Sequence, residues 1–244
     1  MTEWFEQWFG EEYLQLYPHR NEEDAEQAVS LVDRVARLDG TRVLDLACGP
    51  GRHALPLTER GAVVWGIDLS MALLRRAQQF VPPVRGVVRG DMRMLPFRDA
   101  SFGLVANLFT SFGYFADDDQ HAAVLHGVAR VLAPGGKLFM DYLNAQAVRE
   151  ALVPQEERQF GEHRVAIERK LVDGERFIVK EMHLVDDGRT FHERVRLFTP
   201  EDLMGLIEGS GLRVTDILGN YAGDEWTPAT PRTIMVAQLP GDLP

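Results

Sequence analysis

Short apolar runs alternate with amphipathic stretches between Thr41 and Tyr142, and this alternation constrains the fold more than any other feature of the chain. Thr41–Ala47, Ala62–Ile67, Val84–Val88, Phe102–Leu108 and Gly136–Tyr142 read as strands. Arg52–Arg60, Ser70–Phe80 and Asp117–Leu132 read as the helices between them. Short apolar strands separated by helices imply a mostly parallel sheet with helices on both faces. The pattern changes after about Glu150. Arg158–Lys170, Arg176–Val185 and Thr190–Phe198 read as three strands of an antiparallel inset, joined at Asp173-Gly174 and Asp187-Gly188, dipeptides that favour tight hairpins. Thr199-Pro200 then opens a helix, with a capping residue ahead of a first-turn proline. Leu212–Leu218 and Arg232–Leu239 close the chain as strands. The loop between them, Gly219–Pro231, is long and aromatic, and long loops in compact domains are often functional.

Ahead of this core, Thr2–Tyr17 reads as a helix with Trp4 and Trp8, and Phe5 and Phe9, on shared faces. A second helix runs from an Asn21 cap to about Leu38 with Val29, Val32, Val35 and Ala36 on one stripe. The expected organisation is a helical lid over residues 1–40, an α/β core over 41–152, the inset over 153–198 and completion of the core sheet over 199–244.

Charge and cysteine content exclude several functions. The formal net charge is −11, with no basic stripe to neutralise phosphates, so nucleic acid is not an expected partner. Cys48 is the single cysteine, which rules out an intramolecular disulfide and fits a reducing compartment. No apolar run is long enough to cross a bilayer, and the acidic, aromatic N-terminus is unlike a secretory signal, so a cytoplasmic location is expected. The histidines show no convincing metal-ligand spacing, and no metal is expected.

The chemistry concentrates in DLACGPGRHA, Asp45–Ala54, where the first strand passes into a helix. In open α/β sheets, ligands bind outside that edge. Gly49 and Gly51 let the backbone approach a ligand closely. Gly49-x-Gly51-x-x-Ala54 with Asp68 on the next strand also matches a dinucleotide fingerprint, so an NAD(P)-dependent oxidoreductase is an alternative. Asp45 at the strand end argues for a cationic ligand group instead, because a carboxylate there suits an ammonium. Asp68 can accept from both hydroxyls of a ribose, or it can cap the helix that follows. Asp91 after the third strand can accept from an adenine amino group with Met92 packed on the ring, or Gly90-Asp91 can be a plain turn. Cys48 in the glycine loop reads as a small packing residue.

Taken in order, DLACGPG, GIDLS, GDMRMLPF, FGLVANLFTSFGYF and VLAPGGKLFMDY resemble the successive motifs of the class I S-adenosylmethionine-dependent methyltransferases, over about Arg42–Tyr142. The closing strands resemble that family's seven-stranded sheet, so a Rossmann-like fold is implied. Ala47 departs from the family, which often has its first glycine there. The resemblance implies S-adenosyl-L-methionine as cofactor. Gly49 and Gly51 would face its methionine part, with Ala47 beside them, and Asp45 would orient that region. Asp68 would hold the ribose, Leu69 would lie against the adenine, and Asp91 with Met92 would meet the adenine edge. Asn107 would line the floor near the sulfonium. In the lid, Arg20 is a natural partner for the methionine carboxylate, and Tyr17 is the catalytic candidate beside the methyl path. LFTSFGYF is similar to small-molecule methyltransferases, including those acting on amino sugars, so a small-molecule acceptor methylated on N or O is implied. Tyr221, Asp224, Glu225 and Trp226 could add to the acceptor pocket. The inset either covers that pocket or forms a homodimer contact. A non-catalytic module that binds the cofactor or a protein also remains open.

Overall fold

A computed structural model describes residues 3–16, 22–79 and 86–241. Three helices lead the chain: α1 (Trp4–Trp8), α2 (Glu11–Leu16) and α3 (Glu22–Ala36). The alternating core follows as β1 (Arg42–Leu46), α4 (Ala54–Glu59), β2 (Val63–Asp68), α5 (Met71–Ala77), β3 (Gly86–Arg89), β4 (Phe102–Asn107), α6 (Asp118–Val131), β5 (Leu132–Leu143) and α7 (Ala145–Glu150). The inset comprises β6 (Gln155–Phe160), β7 (His163–Val172), β8 (Phe177–Leu184) and β9 (Thr190–Arg196). The chain returns with α8 (Pro200–Gly209), β10 (Arg213–Leu218) and β11 (Arg232–Gln238).

The main sheet has seven strands in the order β10-β11-β5-β4-β1-β2-β3. β1 to β5 pair in parallel with their neighbours, and β11 runs antiparallel to both β5 and β10. Alternation along each strand sends side chains to two separate cores. Leu44 and Leu46 of β1 face a cluster built by α6 and α8 through Leu125, Val128, Leu203 and Ile207. Val43 faces the opposite cluster with Val29 and Val32 of α3 and Leu57 of α4. The helix α3 is therefore one of the layers covering the sheet rather than part of a lid, because its apolar stripe is fully used against the strands. α1 and α2 do not share that layer: α1 packs against β9 and α2 against α5.

The opening segment is two helices and not one. Phe9-Gly10 interrupts it, with the Phe9 N–H still bonded back to Phe5 O. The inset has four antiparallel strands where three were expected. Arg158–Lys170 contains a hairpin turning at Gly161, whose φ of +57° lies in the left-handed region that favours glycine, and Phe160 pairs with His163 across it. Alternation continues in register on both sides of that turn, so periodicity alone did not reveal it. α7 was also not foreseen; Asn144 caps it by accepting from Gln146 N and Ala147 N. The inset packs against the N-terminal helices: Trp8 is buried, stacks near Phe191 and donates its indole N–H to Glu193 Oε1 at 2.8 Å.

The expected start of α8 is present as a reciprocal capping box. Thr199 Oγ1 accepts from Asp202 N at 3.1 Å, and Asp202 Oδ2 accepts from Thr199 N at 3.2 Å. Thr199→Ala is expected to cost about 1 kcal/mol and lower the melting temperature by roughly 2–4 °C in thermal unfolding. An unchanged melting temperature means the cap adds nothing to α8.

Candidate active site

The carboxyl ends of β1, β2, β3 and β4 open into one cavity of about 940 Å³. Its wall includes Ala47, Gly49, Gly51, Asp68, Leu69, Asp91 and Met92, all expected at a site by the sequence. Its opposite side is aromatic: Phe5, Phe9 and Tyr13 from α1 and α2 meet Tyr114 and Phe115 from the loop after β4. The Phe9 and Tyr114 rings lie 5.6 Å apart. Tyr17 and Arg20 fall outside the described residues.

Backbone geometry shapes the near wall. Gly51 has φ +82°, and a Cβ there would meet the Ala77 Cβ at 3.0 Å, so the turn lies close against α5 as no other residue would allow. Ala47 adopts φ +59°, a conformation that glycine takes without strain. That backbone shape accounts for glycine being common at this position in the family the motifs resemble. Cys48 is buried against Gly66, and burial pushes its thiol up, so it is a packing residue.

Asp68 ties two turns together. Its Oδ2 accepts from Gly49 N and its Oδ1 from Ser70 N, each at 2.8 Å. Burial raises its pKa, while these backbone donors pull it down. Capping of α5 is done by Ser70, whose Oγ accepts from Leu73 N at 3.2 Å. Asp68 is therefore free of that duty. Asp91 is clasped by Arg93, with Oδ2 2.6 Å from Nη2 and Oδ1 also accepting from Arg93 N. Burial pushes the Asp91 carboxyl up, but Arg93 outweighs it and holds it below the ordinary range. Arg93 also reaches Glu3 beside α1, at 3.0 Å. This bridge from the turn after β3 to the start of α1 carries no signal in the sequence.

Two expected residues stand behind the cavity wall. Asp45 is buried, one layer beneath the Ala47–Gly49 turn, and its Oδ2 has no hydrogen-bond partner. Burial raises its pKa to about 7; Arg52 pulls it down and Asp68 pushes it up. Asn107 is also fully buried, and its amide donates to Leu46 O at 3.1 Å and Ser111 O at 3.2 Å. It joins β1 to the loop after β4 and leaves the surface of the floor to Leu108. Arg52 was not foreseen. It lines the cavity, with its guanidinium 4.0 Å from the centre of the Phe109 ring. Among the described residues, neither the inset nor Tyr221, Asp224, Glu225 or Trp226 lines the cavity. Trp226 donates instead to Thr233 Oγ1 and Tyr221 to Asp141 Oδ2. No helix among the described residues is long and apolar enough to cross a membrane, and no group of three or more His, Cys, Asp or Glu there could hold a metal.

A sheet with this strand order and a cavity over its carboxyl edge defines a Rossmann-like α/β protein with a ligand site at that edge. The family described as "Methyltransferase domain" matches residues 43–136. The cypemycin N-terminal methyltransferase of a Streptomyces species is 29% identical over 211 residues, 82% of this chain and 84% of that protein. Further curated relatives match over 105 to 111 residues, so the chain spans less than half of their length. Among solved structures, the CcbJ methyltransferase from Streptomyces caelestis aligns with a TM-score of 0.81 at 18% identity, covering 96% of this chain and 98% of that one. CalS10 from Micromonospora echinaspora, an amino pentose methyltransferase with S-adenosylmethionine bound, aligns with a TM-score of 0.69 at 24% identity, covering 94% and 97%. Residues 43–136 thus match a methyltransferase domain, and over most of its length the chain is similar to S-adenosylmethionine-dependent methyltransferases. That likeness favours a methyltransferase over the dinucleotide-dependent and non-catalytic alternatives.

Proposed function

We propose that this enzyme methylates an amine nitrogen of a small acceptor that enters beneath α1 and α2. The observation that carries the reading is the single cavity in which the Gly49–Gly51 turn, Asp68 and Asp91 share one space with the aromatic wall. The relatives lend it chemical direction, since one is named an N-terminal methyltransferase and another an amino pentose methyltransferase.

The residues present fit the cofactor. Asp45 is a buried acceptor without a partner, and a cation at the Ala47–Gly49 wall would compensate its charge. Asp68 would hold the ribose with the lone pairs left after its two backbone bonds. Leu69 would lie against the adenine, and Asp91 with Met92 would meet its edge. Arg20 would partner the methionine carboxylate and Tyr17 would stand beside the methyl path. When bound, S-adenosylmethionine supplies an electrophilic methyl group that an acceptor lone pair takes in line. The protein's own contribution is placement and exclusion of water. Phe5, Phe9, Tyr13 and Tyr114 line the cavity with aromatic rings, and such rings would suit an amine that becomes more cationic as it is alkylated. The amine must arrive unprotonated, so the rate should rise with pH until the acceptor's own pKa.

The test is transfer of labelled methyl from S-adenosylmethionine to a panel of small primary and secondary amines, amino sugars and short peptides, set beside their hydroxyl analogues. Label on the amines alone is the expected result. Label on hydroxyl analogues at equal or greater rate overturns the choice of nitrogen.

A further inference from the structure

Phe109 and Thr110, just after β4 at the cavity wall, adopt φ of +58° and +61°. Two successive non-glycine residues in the left-handed region are rare, and a β-branched residue there is a true outlier. Such conformations persist only where the surroundings enforce them, and they gather at active sites. The enforcing groups are Asp141, Tyr221 and Arg232. Asp141, on β5, is fully buried. Its Oδ2 accepts from Phe109 N at 2.8 Å, and its backbone oxygen accepts from Thr110 N at 2.9 Å. Arg232 Nε donates to Asp141 Oδ1 at 2.7 Å, and Nη2 donates to Thr110 Oγ1 at 3.1 Å. Tyr221 completes the set by donating its hydroxyl to Asp141 Oδ2 at 2.8 Å. Burial, reinforced by Asp141, pushes the Tyr221 phenol up, so it stays a donor. Tyr221 is itself held in place from α3, where Arg34 Nη2 donates to Tyr221 O at 2.9 Å.

We propose that Tyr221 and Arg232 act through Asp141 as positioning residues that lock the 108–111 turn in its left-handed form and so set the acceptor end of the cavity. Phe109 and Ser111 line that end directly. Tyr114 is set in turn, because its hydroxyl donates to Thr110 O at 2.7 Å. The loop Gly219–Pro231 thereby influences the site without touching it. This inference rests on reading the cavity as the place of methyl transfer, but the lock itself can be measured without an acceptor.

Tyr221→Phe and Arg232→Lys are suited to the test, since both keep bulk and the latter keeps charge; removal of the Arg232 charge would leave Asp141 buried and unpaired. Amide hydrogen exchange in the whole protein reads the lock directly. Both variants are expected to speed exchange at Phe109 and Thr110 by tenfold or more, with the amides of β1 and β2 unchanged. With an amine found to accept methyl, Tyr221→Phe should lower kcat at least fivefold, leave the KM for S-adenosylmethionine within twofold, and keep the melting temperature close to that of the native chain. Thr110→Gly added to Tyr221→Phe should recover much of the lost kcat, because glycine adopts the left-handed turn without strain. Unchanged exchange at Phe109 and Thr110 overturns the proposal, whether or not any acceptor is known. Faster exchange with an unaltered kcat confines the residues to a structural role and overturns positioning. Failure of the native protein to methylate any amine would count against the proposed acceptor and leave the exchange result standing.

Discussion

Asp45→Asn is expected to make the unliganded protein more stable at pH 8 while weakening its hold on S-adenosylmethionine. Burial raises the Asp45 carboxyl from an ordinary 3.8 to about 7. The folded state therefore keeps a proton that the unfolded chain has lost, and stability falls as pH rises from about 4 to about 7. Above pH 7 the full penalty, about 4 kcal/mol, is present. Asparagine removes the charge but leaves a buried amide to satisfy, which returns about 2 kcal/mol of that gain. The net expectation is a variant more stable by about 2 kcal/mol at pH 8, or roughly 4–8 °C in thermal unfolding. At pH 4, where Asp45 is neutral in the folded protein, the penalty is absent and only the amide cost remains, so the variant should be less stable than the native chain by about 2 kcal/mol. Affinity should move the other way. Loss of a charge-assisted partner for the cofactor ammonium is worth roughly 2–3 kcal/mol, or about 30- to 150-fold in Kd at pH 8. The native protein should also bind up to about tenfold more tightly per pH unit between pH 5 and 7, then level off, whereas the variant should lack that dependence. Calorimetric titration and thermal unfolding across pH check both halves. A variant that melts lower at pH 8 and binds as tightly as the native chain would remove Asp45 from the site.

The same residue shows why some of the architecture could be read in advance and some could not. Strand alternation placed β1 and the turn after it, because burial on both faces leaves a signature in the residues themselves. It could not tell that Asp45 sits beneath the wall rather than on it, since a charged residue at a strand end is compatible with either. Asp68 and Asp91 were legible for a similar reason: parallel pairing in register brings the ends of β1, β2 and β3 to one rim. The hairpin at Gly161 was lost because period-two alternation survives a two-residue turn. The Asp141–Tyr221–Arg232 lock is of another kind. Its members lie 80 and 91 residues apart in sequence and meet only through the antiparallel pairing of β5 and β11. Nothing local in MDY, YAG or PRT marks them. Tyr221 was noticed as part of an aromatic loop, and the expected contact with the acceptor was replaced by a contact with Asp141. Arg52 and Arg93 carry no such signal, because arginine in a turn is ordinarily a solvated residue.

Asp68→Ala is expected to lose both cofactor affinity and the shape of the glycine turn, and a comparison with Ser70→Ala separates the two contributions. Removing the carboxylate leaves Gly49 N and Ser70 N without their 2.8 Å acceptor. Each orphaned N–H in this half-buried position costs about 1–3 kcal/mol unless water replaces the acceptor. The expected loss of stability is about 3 kcal/mol. If Asp68 also accepts from the ribose, a further 1–3 kcal/mol disappears from cofactor binding through lost charge-assisted hydrogen bonds. The variant should thus melt roughly 6–12 °C lower and bind S-adenosylmethionine about 5- to 150-fold more weakly in the fraction that remains folded. Asp68→Asn should fall between, because its amide can accept from one of the two backbone donors and must turn its own NH2 toward the other. Ser70→Ala removes only the cap of α5, so it should lose about 1 kcal/mol of stability with cofactor affinity unchanged. Affinity is best compared at 10–15 °C, below the melting range of every variant, with S-adenosylhomocysteine as a second ligand that lacks the methyl group but keeps the ribose. Equal affinity losses for both ligands are expected. If Asp68→Ala and Ser70→Ala prove alike, stable to the same degree and equally able to bind, then Asp68 merely fastens the chain and the ribose is held elsewhere.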